Sequence, residues 1–123
     1  MTRGQKVADD HPEAQVGNYS LFSISGTSQA AAVAFFVGIG SRGEQPRTNG
    51  LSHYIEHMLF KGTERRPTAP EISEAIEGAG GQLNAYTSHE ITCYWNTVPF
   101  ESAAVGIDVV ADMLQHSLLD AVE

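Results

Sequence analysis

The run His53-Tyr54-Ile55-Glu56-His57 constrains this chain most, because it places two imidazoles and a carboxylate on one face of an α-helix. Residues four apart on a helix lie nearly above one another, and residues three apart lie beside them. His53 and His57 can therefore hold one ion together, with Glu56 projecting along the same side. This H-x-x-E-H order inverts the H-E-x-x-H motif and carries the same chemistry. Imidazole nitrogen suits Zn²⁺, an ion that acidifies water to a pKa near ~7, and a neighbouring carboxylate can take the proton released. Chance alone produces the spacing in roughly 2% of sequences of such composition, so the flanking residues have to decide. Asn49 is placed to cap a helix start, and Gly62 is placed to end it as a C′ residue. Within that span Leu51, Ile55 and Met58 form one apolar stripe, predicted to be the helix's buried back. His53, Glu56, His57 and Phe60 form its front.

The remaining elements follow from periodicity and turn residues. Tyr19 to Ser25 alternates in part and reads as a strand. Ala30 to Gly38 is almost wholly apolar, as expected for a strand covered on both faces. Thr68 and Glu71 form a capping box, with Pro70 tolerated in the first turn of a short helix that ends at Gly78 to Gly81. Gln82 to Thr87 and Ile91 to Val98 read as a hairpin. Glu101 to Leu119 reads as a helix with Ala103, Ile107, Val110, Leu114 and Leu118 on its apolar face. The expected fold class is α+β, a two-layer sandwich in which helices cover one face of a mostly antiparallel sheet.

Composition narrows the function classes. The 123 residues leave room for one domain or most of one, and the net charge of −8 comes with few basic residues, clustered only over Lys61 to Arg66. Nucleic-acid and anionic-membrane partners are therefore not expected. Lys61, Glu64, Arg65 and Arg66 read as a solvated surface run, and Glu90, Glu101, Asp108 and Asp112 as solvent-facing or capping carboxylates. His89 and His116 read as solvent- or dipole-facing, and His11 falls in a loose tail. Residues 1–18 read as a disordered lead-in, without an apolar secretion run and with acidic residues unlike a mitochondrial presequence. Residues 19–123 form the folded part. The run from Ala30 to Ile39 is too short to span a bilayer. The single cysteine, Cys93, reads as a small buried apolar residue. These signs place the protein in a bacterial cytoplasm, with the mitochondrial matrix second.

Several motifs, in order and spacing, carry a resemblance to the pitrilysin family, which includes insulin-degrading enzyme, the mitochondrial processing peptidase and bacterial processing proteases. Gly50 through Thr63 resembles that family's metal-binding helix, and Gly40-Ser41-Arg42-Gly43-Glu44 its preceding turn. Gly80-Gly81-Gln82-Leu83-Asn84-Ala85-Tyr86-Thr87-Ser88, with Glu90, Thr92 and Tyr94, resembles its substrate-side hairpin. Asp112-Met113-Leu114 to Leu118-Leu119-Asp120 resembles the end of the following helix. The resemblance implies the amino-terminal part of a zinc metalloendopeptidase with Glu56 as general base and His53 and His57 as two metal ligands. The third ligand, a glutamate on a later helix, is expected beyond Glu123, so the chain by itself is expected to be inactive. Asn84 and Ala85 are implied to pair with a peptide substrate as an added strand. The implied partners are a peptide or protein substrate and the rest of the peptidase, on the same chain or on another subunit. A second reading is a non-catalytic substrate-binding or scaffold relative. A third takes the helix motif into a small metalloenzyme of the S-ribosylhomocysteine lyase type, which the hairpin and glycine turns count against.

Overall fold

In the computed structural model, which describes residues 13–17, 19–24 and 26–120, two long strands set the frame. β3 (Ala30–Val37) and β5 (Thr92–Pro99) pair antiparallel over their whole length, and β4 (Gln82–Thr87) pairs antiparallel with the other side of β5. The order β3-β5-β4 leaves β5 central and, among the described residues, both outer strands with a free edge. Ahead of this sheet, β1 (Glu13–Val16) and β2 (Tyr19–Phe22) form a separate hairpin. Residues 13–16, counted with the lead-in on sequence grounds, are thus paired, while residues 1–12 lie outside the described part.

Three helices cover one face of the three-stranded sheet, the arrangement expected from the element order. They are α1 (Leu51–Leu59), α2 (Ala69–Glu77) and α3 (Ala103–His116). α3 packs on β3 and β5, α1 on β4, and α2 between α3 and β4. Leu59, Ile72, Ile76, Tyr94, Val98, Val109, Val110 and Met113 form the buried core. α2 begins as expected: Thr68 Oγ1 accepts from the Glu71 N–H, and Glu71 Oε2 accepts from the Thr68 N–H at 2.9 Å. The strand limits Gln82–Thr87 agree with the sequence, and β5 is shifted by one residue.

Two burial expectations need correction. β3 is covered on one face only: its residues alternate between half-buried and exposed, and Phe36 is 59% exposed. An edge strand of a one-sided sheet can be apolar throughout, so composition did not report coverage. The apolar face of α3 is only partly the expected one: Val110 is buried and Leu114 packs on the core, but the buried stripe runs through Gly106 instead of Ile107. Its buried residues are Gly106, Val109, Val110, Asp112 and Met113, whereas Ile107 is exposed. The cause is close approach at Gly106, where a Cβ would stand 2.5 Å from the Asn96 side-chain oxygen. Asn96 is fully buried and donates from Nδ2 to the Gly106 carbonyl at 2.9 Å. A glycine, invisible to a search for large apolar residues, marks the contact line.

Candidate metal centre

α1 has nine residues, too few to be stable alone, so its ends are held by tertiary contacts. The start is not capped by Asn49. Gly50 is the capping residue, in the left-handed region at φ 86°, with no side-chain cap from its own sequence neighbours. The orphan N–H groups are met from upstream: Glu44 accepts from the Gly50 N–H at 2.6 Å and from the Ser52 N–H at 2.8 Å. These bonds, Ser52's the stronger influence, hold the Glu44 carboxyl below its ordinary range. The turn that carries Glu44 is itself pinned to the β4–β5 hairpin tip, where the Ser41 and Arg42 N–H groups donate to the Ser88 and His89 carbonyls. Ser41 Oγ also contacts His89 Nδ1, and Arg42 pairs with Glu90.

Of the expected apolar back of the helix only Met58 is buried, so the side that meets the sheet is rotated from the one expected. Leu51, Tyr54 and Ile55 are exposed, and Glu56, Met58 and Leu59 are buried. Gly62 does not take a left-handed conformation, and the helix ends at Leu59 with Phe60 as cap. Glu56 is drawn inward because it has a polar partner there. Thr87, the last residue of β4, donates its hydroxyl to Glu56 Oε2. Tyr94 lies nearby on β5, and its hydroxyl pKa is pushed up to about 12, first by burial and then by the negative charge of Glu56.

His53 and His57 stand on the exposed side of the same turn. Their Nε2 atoms are 2.9 Å apart and their rings meet edge to face at 4.5 Å. One donor atom each from His53, Glu56 and His57 lies within 4.8 Å of the others. Two imidazole nitrogens bound to one tetrahedral zinc at ~2.0–2.1 Å stand about 3.3 Å apart. The observed pair is within a small side-chain adjustment of that span, so this donor set fits zinc. Among the described residues no other group of three or more His, Cys, Asp or Glu comes together in this way.

Asn84 and Ala85 lie on β4 beside its free edge. Asn84 is exposed on the open face, while Ala85 faces the core, and the Ala85 N–H donates to Asn84 Oδ1 at 2.8 Å. Cys93 is buried, as expected, and burial raises its thiol pKa.

The segment after α1 corrects another expectation. Arg66 and Asp112 are not solvated. Arg66 donates to Asp112 Oδ2 at 2.7 Å and to Asp108 Oδ2 at 2.9 Å, and the Thr63 hydroxyl donates to the same Asp112 oxygen at 2.7 Å. Asp112 is 2% exposed and Thr63 wholly buried. Arg65, by contrast, pairs with Asp108 in solvent, as a surface run should. The two arginines, then Asp108 desolvation in the opposite sense, leave the Asp108 carboxyl pKa at about 2.

Thr87 and Glu44 are the residues near the site that sequence reasoning left without a role. Thr87 had a usable signal: strand alternation puts it on the same face as Ala85, opposite Asn84, and therefore toward the helices. Glu44 had none, since its contact depends on the intervening turn.

A sequence profile of the family described as Insulinase (Peptidase family M16) matches residues 21–123. Over 94 residues, 76% of this chain, it is 48% identical to an uncharacterized zinc protease of Bacillus subtilis, covering 23% of that protein. A second uncharacterized zinc protease, from Streptomyces coelicolor, is 46% identical over 74% of this chain, which covers 20% of it. A probable mitochondrial-processing peptidase subunit beta of Arabidopsis thaliana is also 46% identical over 74% of the chain, which covers 17% of that protein. The chain thus spans about a fifth of the length of these relatives.

Proposed function

Because this chain belongs to the insulinase family, peptidase family M16, we propose that it is the metal-binding segment of a zinc-dependent metalloendopeptidase. The observation that carries the reading is the convergence of His53, Glu56 and His57 on one turn of α1, with donor atoms within 4.8 Å. His53 and His57 would hold zinc through Nε2. Zinc, when bound, supplies Lewis acidity that polarises a peptide carbonyl and acidifies water.

Glu56 acts as the general base. It is buried at the helix–sheet seam, one oxygen held by Thr87, and it lies next to the two imidazoles. It takes a proton from the attacking water and can return it to the leaving amine, a role that contributes roughly 10²–10⁴-fold to such reactions. A peptide backbone pairs along the free edge of β4, where an incoming strand displaces the Asn84 side chain from the Ala85 N–H. Main-chain pairing of this kind binds without demanding one sequence. His53 and His57 supply two of the three protein ligands of an ordinary catalytic zinc site, and the third, by the family resemblance a glutamate on a later helix, completes the set. A bacterial cytoplasmic setting belongs to the same proposal, with bacterial relatives in its favour and mitochondrial ones as the alternative. No helix among the described residues is long and apolar enough to cross a membrane.

The test is Glu56→Gln in the protein extended through its third ligand. The variant should keep stoichiometric zinc and lose peptide cleavage by at least ~10²-fold. Near-normal turnover would remove Glu56 from this role. A non-catalytic subunit would instead show no cleavage in the unaltered protein, with zinc bound or absent.

A further inference from the structure

Glu56 has two roles open to it, and only one is useful for hydrolysis. Its carboxylate lies within a side-chain adjustment of joining the two imidazoles as a ligand, since all three donors are within 4.8 Å and ligands bound ~2.0–2.2 Å from one tetrahedral zinc stand about 3.4 Å apart. A carboxylate on an exposed turn would fall onto a nearby divalent cation by simple attraction. Glu56 does not point into solvent: it is 8% exposed, on the inner side of its turn, and Oε2 accepts a hydrogen bond from the Thr87 hydroxyl across the α1–β4 seam. Thr87 is itself half-buried at the last position of a strand paired with Thr92. Its hydroxyl therefore comes from a fixed backbone rather than from a mobile loop.

We propose that Thr87 is a positioning residue that holds Glu56 off the metal, so that the carboxylate serves as a base and not as a ligand. The proposal rests on reading His53, Glu56 and His57 as a metal centre. One oxygen of Glu56 is fixed by the strand, and the other is left to accept a proton. Without the hydroxyl the carboxylate swings toward the cation, which gains a ligand while the reaction loses its base. Metal affinity and turnover then move in opposite directions. A residue that merely fills space would lower both or neither.

The experiment compares Thr87→Val, which keeps the β-branched shape and strand preference, with Thr87→Ser, which keeps the hydroxyl. Both are made in the protein extended through its third ligand, alone and together with Glu56→Gln. Zinc affinity is measured by competition with a chelator, and kcat and KM with a quenched peptide. In Thr87→Val, kcat should fall by at least ~10-fold with KM nearly unchanged, while zinc binds more tightly. Thr87→Ser should recover most of the loss, and Thr87→Val should leave zinc affinity unaltered when Glu56 is already Gln. Equal losses in the Val and Ser variants, or a change confined to KM, would overturn the proposal. So would unchanged zinc affinity in Thr87→Val. If Glu56→Gln cleaves normally, the hydrolytic reading fails separately, and the zinc cycle alone still decides whether Thr87 restrains Glu56.

Discussion

Replacing Arg66 by alanine should destabilise the fold far more than the same change at Arg65, although the two are adjacent and share Asp108 as partner. Arg66 is 17% exposed and Asp112 only 1% at the side chain, whereas Arg65 is 57% exposed. Removing Arg66 leaves a buried carboxylate whose Oδ1 already has no hydrogen-bond partner among the described residues and whose Oδ2 keeps, among them, only the Thr63 hydroxyl. Breaking a buried ion pair from one side costs about 3–5 kcal/mol. The retained Thr63 bond and the partial exposure of Arg66 place this case near 3 kcal/mol, roughly a hundredfold in the folding equilibrium. With a urea slope of about 2 kcal/mol/M, the midpoint followed by circular dichroism falls by about 1.5 M at unchanged slope. Arg65→Ala removes a solvent-screened pair and leaves the midpoint nearly where it was. Equal shifts in the two variants would refute the claim that burial of Asp112, rather than charge pairing as such, sets the cost.

Two further outcomes follow. Glu44 is held below its ordinary pKa of 4.5 by its bonds to the start of α1. Its contribution is therefore present above that value and is lost as the pH falls through the lowered one, so protection of the Gly50 and Ser52 amides from hydrogen exchange should drop on acidification below about pH 4.5. In Glu44→Gln that pH dependence should vanish, and a dependence that survives would assign it elsewhere. The 123 residues alone should release zinc readily to a chelator, because two imidazoles are one ligand short of an ordinary catalytic set; stoichiometric, chelator-resistant zinc would overturn the expectation that the third ligand lies further along.

What could be read from sequence was whatever depends on near neighbours. The capping box at Thr68 and Glu71, the limits of β4 and the placing of His53, Glu56 and His57 on one turn all follow from spacings of two to four residues. What could not be read depends on which side of an element meets another. Leu51 and Ile55 looked like the back of α1 because they are apolar, yet the sheet receives Glu56, for which Thr87 supplies a partner thirty-one residues away. Asp112 looked like a surface carboxylate because Arg66 is forty-six residues distant. In α3 hydrophobicity found Val110 and Leu114 but passed over Gly106, where the close approach is made by a residue without a side chain.

The histidine-bearing helix owes its shape to groups outside it. Glu44 grips its leading end, and the turn that follows the helix is closed by the Thr63 N–H donating to the Arg66 carbonyl and moored to the end of α3 and the residues after it, where the Glu64 N–H donates to the His116 carbonyl and the Leu118 N–H to that of Gly62. Damage to either mooring would propagate to the imidazoles without touching them. Loss-of-activity substitutions found at Arg66 or Asp112 would then mimic lesions in the reactive centre, and restored function on cooling would tell the two apart.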